Sequence, residues 1–149
     1  MKAPRKMMFA ALALLAGAAS AATERPLAMA PSDPALAWSG CPAIFPQGCE
    51  LTVLHGDPAR PNADLFLRVP GGFVLPAHSH TSAERMMLAA GRLKVKYLGA
   101  PEQTLTGGTY AYGPAGLPHS ATCVSEEPCV LFIAFEGPVD ANAFQGSLD

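Results

Sequence analysis

GGFVLPAHSHTSAERMMLAAG, residues 71–91, sets His78 and His80 two positions apart and Glu84 four further on. On a strand, side chains two apart point to the same face, so the two imidazoles project together and Ser79 faces the other way. Glu84 shares their parity, but Thr81-Ser82-Ala83 reads as a turn. A chain reversal there would bring Glu84 back beside the histidines from a neighbouring strand. Two imidazoles and a carboxylate are donors that suit Mn, Fe, Co, Ni, Cu or Zn. A single His-x-His also occurs as plain polarity in a surface turn, so the rest of the chain has to decide between the two readings.

The surroundings are β throughout. Short runs of strand character cover residues 50–55, 64–69, 73–75, 84–89, 92–98, 109–112, 118–124 and 129–135, separated by Gly, Pro, Asn and Asp. Residues 92–97 (RLKVKY) alternate polar and apolar, as a strand with one wet face does, which makes Lys94 and Lys96 a solvated face. The run CVLFIAF, 129–135, is apolar without interruption and fits a strand covered on both sides. The AGR at 90–92 reads as a hairpin turn between two such strands. No helical periodicity and no fixed-period repeat is present beyond the first twenty or so residues. Many short strands with regular turn signals predict an all-β barrel or sandwich.

The chain has 149 residues, 50% hydrophobic and 15% charged, enough for one compact domain. Lys2, Arg5 and Lys6, the apolar run 7–16 and Ala19-Ser20-Ala21 have the form of a signal peptide, residues 1–21. The run is shorter than the ~20 residues of a membrane-spanning helix, so no stable membrane anchor is expected after cleavage. Cleavage would leave seven basic against twelve acidic residues, a net charge of −5, which argues against nucleic acid as a partner. Residues 22–37 are rich in Pro and Ala and read as a flexible leader, with Trp38 the first residue to pack and the domain running over 38–149. Four cysteines remain, and in an oxidising compartment their even number favours disulfides; of the three pairings open to four cysteines, Cys41 with Cys49 and Cys123 with Cys129 is favoured because each closes a short loop. A cysteine-bound zinc is the competing reading, with neither spacing of the C-x2-C type.

A second stretch, GTYAYGPAGLPHSATC over 108–123, supplies Gly108, Pro114, Gly116 and His119. With it the chain resembles the cupin superfamily. Residues 72–91 follow that family's first motif, G-x5-H-x-H-x3-E-x6-G, without a gap. Residues 108–123 follow its second, G-x5-P-x-G-x2-H-x3-N, except that Cys123 stands in place of the Asn. More loosely the chain is similar to small exported bacterial cupins of the DUF4437 and anti-sigma-factor-like group. The resemblance implies a single antiparallel jelly-roll β-barrel holding one divalent transition metal ion, with His78, His80, Glu84 and His119 as its ligands. Cys123 is then either bonded to Cys129 or a free thiol facing the pocket.

Met86 and Leu88 share the parity of Glu84 and, with Tyr110 and Tyr112, are the expected pocket walls; Arg85 is expected to point out, and His55 to be structural. No further acid, base or nucleophile stands out, so ligands place the ion without naming a reaction. The sequence supports a periplasmic or secreted metal-dependent enzyme acting on a small molecule, of dioxygenase, decarboxylase or isomerase type. The alternative is a non-catalytic metal-containing module that binds or senses a small ligand. A homodimer is open to such a barrel through its unpaired edges.

Overall fold

The structure is a computed structural model that describes residues 24–149; the signal segment expected at 1–21 lies outside the described residues. No helix occurs among the described residues, and none there is long and apolar enough to cross a membrane. The chain forms β1 (Ser39–Gly40), β2 (Glu50–His55), β3 (Ala63–Val69), β4 (Val74–Ser79), β5 (Glu84–Ala90), β6 (Arg92–Tyr97), β7 (Gln103–Thr106), β8 (Tyr110–Gly113), β9 (His119–Cys123), β10 (Cys129–Phe135) and β11 (Asn142–Ala143). They make two antiparallel sheets, one ordered β1-β2-β3-β10-β5-β8 and the other β11-β4-β9-β6-β7. This is the antiparallel jelly roll expected. The short β1, β7 and β11 are additions, each too brief or too polar to show a period.

The chain changes sheet repeatedly, and this corrects the reading of AGR as a hairpin. β5 pairs with β10 and β8, whereas β6 pairs with β7 and β9, so Gly91 is a corner between the two sheets. Alternation along a strand is the same whether the next strand pairs beside it or crosses to the opposite sheet, which is why sequence could not separate them. Gly91 turns this corner at φ 82°, in the left-handed region that favours glycine.

The core lies between the sheets. Leu65, Val69, Leu88, Leu93, Val95 and Leu131 point into it and are almost wholly buried. The outer face of β10 is apolar too, and residues ahead of the barrel cover it. Leu36 is buried with Phe66 and Val130, while Met29 and Trp38 pack against them. Packing therefore starts before Trp38, because the outward Phe66, Val130 and Phe132 need a cover. Both expected disulfides are present. Cys41–Cys49 closes the β1–β2 loop, and Cys123–Cys129 ties β9 of one sheet to β10 of the other. Cys123 is thus neither a free pocket thiol nor a zinc ligand, and each short ring contributes ~2–3 kcal/mol.

Gly91→Ala should be costly. Its Cβ would stand 2.8 Å from the Pro128 carbonyl oxygen and 2.9 Å from Cys129 Sγ, at a backbone angle that alanine resists. The expected result is a lower urea midpoint at unchanged slope, a loss of roughly 1–3 kcal/mol.

Candidate metal centre

Three strand ends, drawn from both sheets, deliver the four side chains. His78 lies near the end of β4, directly across from His119 at the start of β9. His80 follows one residue beyond β4, and Glu84 begins β5 in the opposite sheet. Glu84 therefore reaches the histidines across the interior, not from an adjacent strand as the turn reading supposed. The register of β4 slips between Leu75 and His78, so both face inward although they are three apart. All four polar side chains are buried.

Ligand atoms of His78, His80 and His119 lie within 4.8 Å of one another. Each ring has its Nδ1 against a backbone carbonyl. His78 donates to Pro76 O at 2.7 Å, His119 to Leu117 O at 3.2 Å, and His80 to the carbonyl of Asp140. A carbonyl only accepts, so each Nδ1 carries the proton and each Nε2 presents a lone pair. The tautomers follow from the acceptors. Glu84 Oε1 lies 3.2 Å from His119 Nε2, and Oε2 lies 3.5 Å from His80 Nε2. Neutral rings make these approaches acceptor against acceptor, and Glu84 Oε1 is buried without a hydrogen-bond partner. Such an arrangement needs a cation or an added proton at its centre.

The protonation states match that need. Burial, reinforced by the charge of His119, lowers the His78 pKa to about 4, against a smaller opposing effect of the Pro76 hydrogen bond. Burial pushes the Glu84 carboxyl up, but the hydrogen bond that His119 offers when protonated and the positive charge that His80, His119 and His78 carry when protonated outweigh it, so the carboxyl sits below its ordinary value. One carboxylate with neutral imidazoles is a donor set that fits a divalent transition metal.

A second ring of residues fixes these donors. Asp140 accepts from the Thr81 amide at 2.8 Å and from the Thr81 hydroxyl, and Asn142 Nδ2 donates to it at 3.3 Å. That clamp seats the Asp140 carbonyl on His80. Phe45 stands edge-on to His78 with centroids 4.8 Å apart, and Phe135 edge-on to His80 at 5.0 Å. The Tyr97 ring lies 5.2 Å from His119, its hydroxyl buried without a partner, and burial and the Glu84 charge raise its pKa. Gly113 pairs with Glu84, and a Cβ there would stand 2.7 Å from Glu84 Oε1, so the missing side chain is the space the carboxylate occupies.

Beside the four donors lies a cavity of about 90 Å³ with apolar walls. Met86 lines it as expected, together with Leu93, Leu131, Ile133 and Phe135. Three expected wall residues do not. Tyr110 and Tyr112 are exposed, because β8 turns Ala111 and Gly113 inward and the tyrosines out. Leu88 is inward but fully buried in the core toward the Gly91 corner, away from the cavity. Arg85 points out and pairs with Glu136, and His55 lies 3.7 Å from Glu24 on the surface, apart from the site. Phe45, Gly113 and Asp140 also reach the site, from positions without a motif. Only Gly113 had a usable signal in the sequence, since the parity of YAYG places either the tyrosines or Ala111 and Gly113 inside.

The sequence profile of the ChrR cupin-like domain matches residues 34–140. None of the curated proteins matches the chain by sequence. Among solved structures, a chain from the crystal structures of the DMSP lyases RdDddP and RnDddQII superposes with a TM-score of 0.64 at 19% identity, over 74% of this chain and 63% of that one. The DMSP lyase DddQ from Ruegeria pomeroyi DSS-3 gives 0.63 at 21%, over 75% and 64%. An RmlC-like cupin from Shewanella frigidimarina gives 0.59 at 17%, over 70% and 86%. This chain thus spans under two thirds of the lyase chains, and identities this low speak for the fold alone. The profile match does not extend to the DUF4437 grouping. With its two antiparallel sheets, its buried His78, His80 and His119 cluster and a match over most of its length, the chain belongs to the ChrR cupin-like domain family of the cupin superfamily.

Proposed function

We propose that this chain is an exported mononuclear metal-binding cupin in which His78, His80, Glu84 and His119 hold one divalent transition metal ion. The ion would work on a small molecule in the adjoining cavity, as a metal-dependent enzyme of dioxygenase, decarboxylase or isomerase type. One observation carries the reading: three Nε2 lone pairs and an unpartnered carboxylate oxygen meet in a buried centre with no donor among them. The ion, once bound, supplies Lewis acidity and, if it is redox-active, electron transfer. The chain's own residues turn the rings, hold Glu84 ionised and keep the surroundings apolar. Export is supported by the two disulfides, which persist in oxidising compartments, and by the signal-like first 21 residues.

A second reading is a non-catalytic metal-containing module for binding or sensing a small ligand. It is favoured by the cavity wall, which adds no acid or base beyond the four donors and Asp140. Turnover on a broad panel of small molecules by metal-replete protein would retire it.

His78→Ala and His119→Ala are each expected to lose stoichiometric metal while keeping a folded β spectrum, checked by metal mass spectrometry and circular dichroism. Full metal content in both variants would refute the assignment.

Acid should destabilise the metal-free protein. The folded His78 pKa of about 4 lies below its ordinary 6.5, so between these values the unfolded chain binds a proton that the folded chain refuses. The contribution is fully present above pH 6.5 and is lost as pH falls toward 4, on the order of 3 kcal/mol. Glu84, also held below its ordinary value, adds further loss at more acid pH. Urea midpoints of metal-free protein across this range check the sign, and bound metal should be released over the acid range as protons compete for the donors.

A further inference from the structure

The wall of the cavity restricts what the ion can meet. Its polar members are the four donors and Asp140; no Ser, Thr, Asn, Gln, Tyr or Trp lines it. Asp140 offers little, since its carboxylate is taken by Thr81 and Asn142 and its carbonyl by His80. None of the Lys and Arg side chains of the described residues lines the cavity either. Arg68 pairs with Glu50, Arg85 with Glu136, Lys94 with Glu102 and Lys96 with Asp149, all on the outside.

Charge and size then select a ligand class. A divalent ion with the Glu84 carboxylate and neutral imidazoles leaves one positive charge in an apolar surrounding. A single anionic donor cancels it. A second charge, of either sign, would sit against leucine, isoleucine and phenylalanine with no partner, at a cost that apolar contact does not offset. The cavity of about 90 Å³ is smaller than the ~150 Å³ engineered cavity that takes benzene, so the body must be short.

We propose that the site takes a small molecule with one anionic donor head, such as a carboxylate, phenolate or thiolate, and an otherwise hydrocarbon body of a few carbons. The inference rests on the metal centre proposed above. It sets the chain apart from cupins that would handle dicarboxylates, sugars or zwitterions, because nothing in this wall receives their second polar group.

The test uses the full disulfide-bonded protein loaded with cobalt, whose visible spectrum reports a new donor at the ion. Butyrate, β-alanine and succinate are titrated in turn. Butyrate and β-alanine share one shape and differ only by a methyl against an ammonium, and succinate adds a second carboxylate. Butyrate is expected to shift the spectrum with an apparent Kd lower by roughly tenfold or more than either of the others. Equal or tighter binding of β-alanine or succinate, or no spectral response to butyrate, overturns the ligand class and leaves the metal centre standing. Failure to take up one cobalt per chain overturns both.

Discussion

Three backbone carbonyls decide the chemistry of this barrel. By accepting from the Nδ1 atoms of His78, His80 and His119 they commit each ring to one tautomer and turn each Nε2 toward the same point. Glu84 arrives at that point from the other sheet with a buried oxygen that nothing satisfies. Burying acceptors against acceptors costs free energy, and a folded domain keeps such a centre only when something positive repays it. The rest of the molecule can be understood as the means of holding this unfavourable set together.

Holding it requires both sheets. His78 and His119 face each other across β4 and β9, Glu84 comes from β5 opposite, and Gly113 on β8 leaves room for the carboxylate. Any sliding of one sheet over the other would separate the donors. The Cys123–Cys129 bridge joins the sheets at the end of β9, and the fully buried Leu88, Leu93 and Val69 fill the space between them. The last strand matters as well: β11 pairs with β4, and the Asp140–Thr81 clamp just before it seats the carbonyl that orients His80.

Much of this was legible in the sequence, for physical reasons. Alternation in RLKVKY and the unbroken CVLFIAF gave strands at nearly their observed limits, because one face or both faces of each are buried. Parity placed His78 and His80 together, and loop length paired the cysteines correctly. What failed depends on the third dimension. Alternation cannot say which sheet comes next, so Gly91 looked like a hairpin. It cannot say which of two parities faces in when both are apolar, so Tyr110 and Tyr112 read as inward although they are exposed. Phe45 and Asp140 come to the site from loops remote in sequence, and no local pattern announces a residue whose backbone carbonyl is the part that matters.

The central claim is that one cation sits among these four side chains. X-ray absorption at the metal edge of protein purified with its metal tests it most directly. The account predicts a first shell of nitrogen and oxygen only, with the outer-shell scattering of three imidazoles. A shell containing sulfur, or one with fewer than two imidazoles, would contradict it.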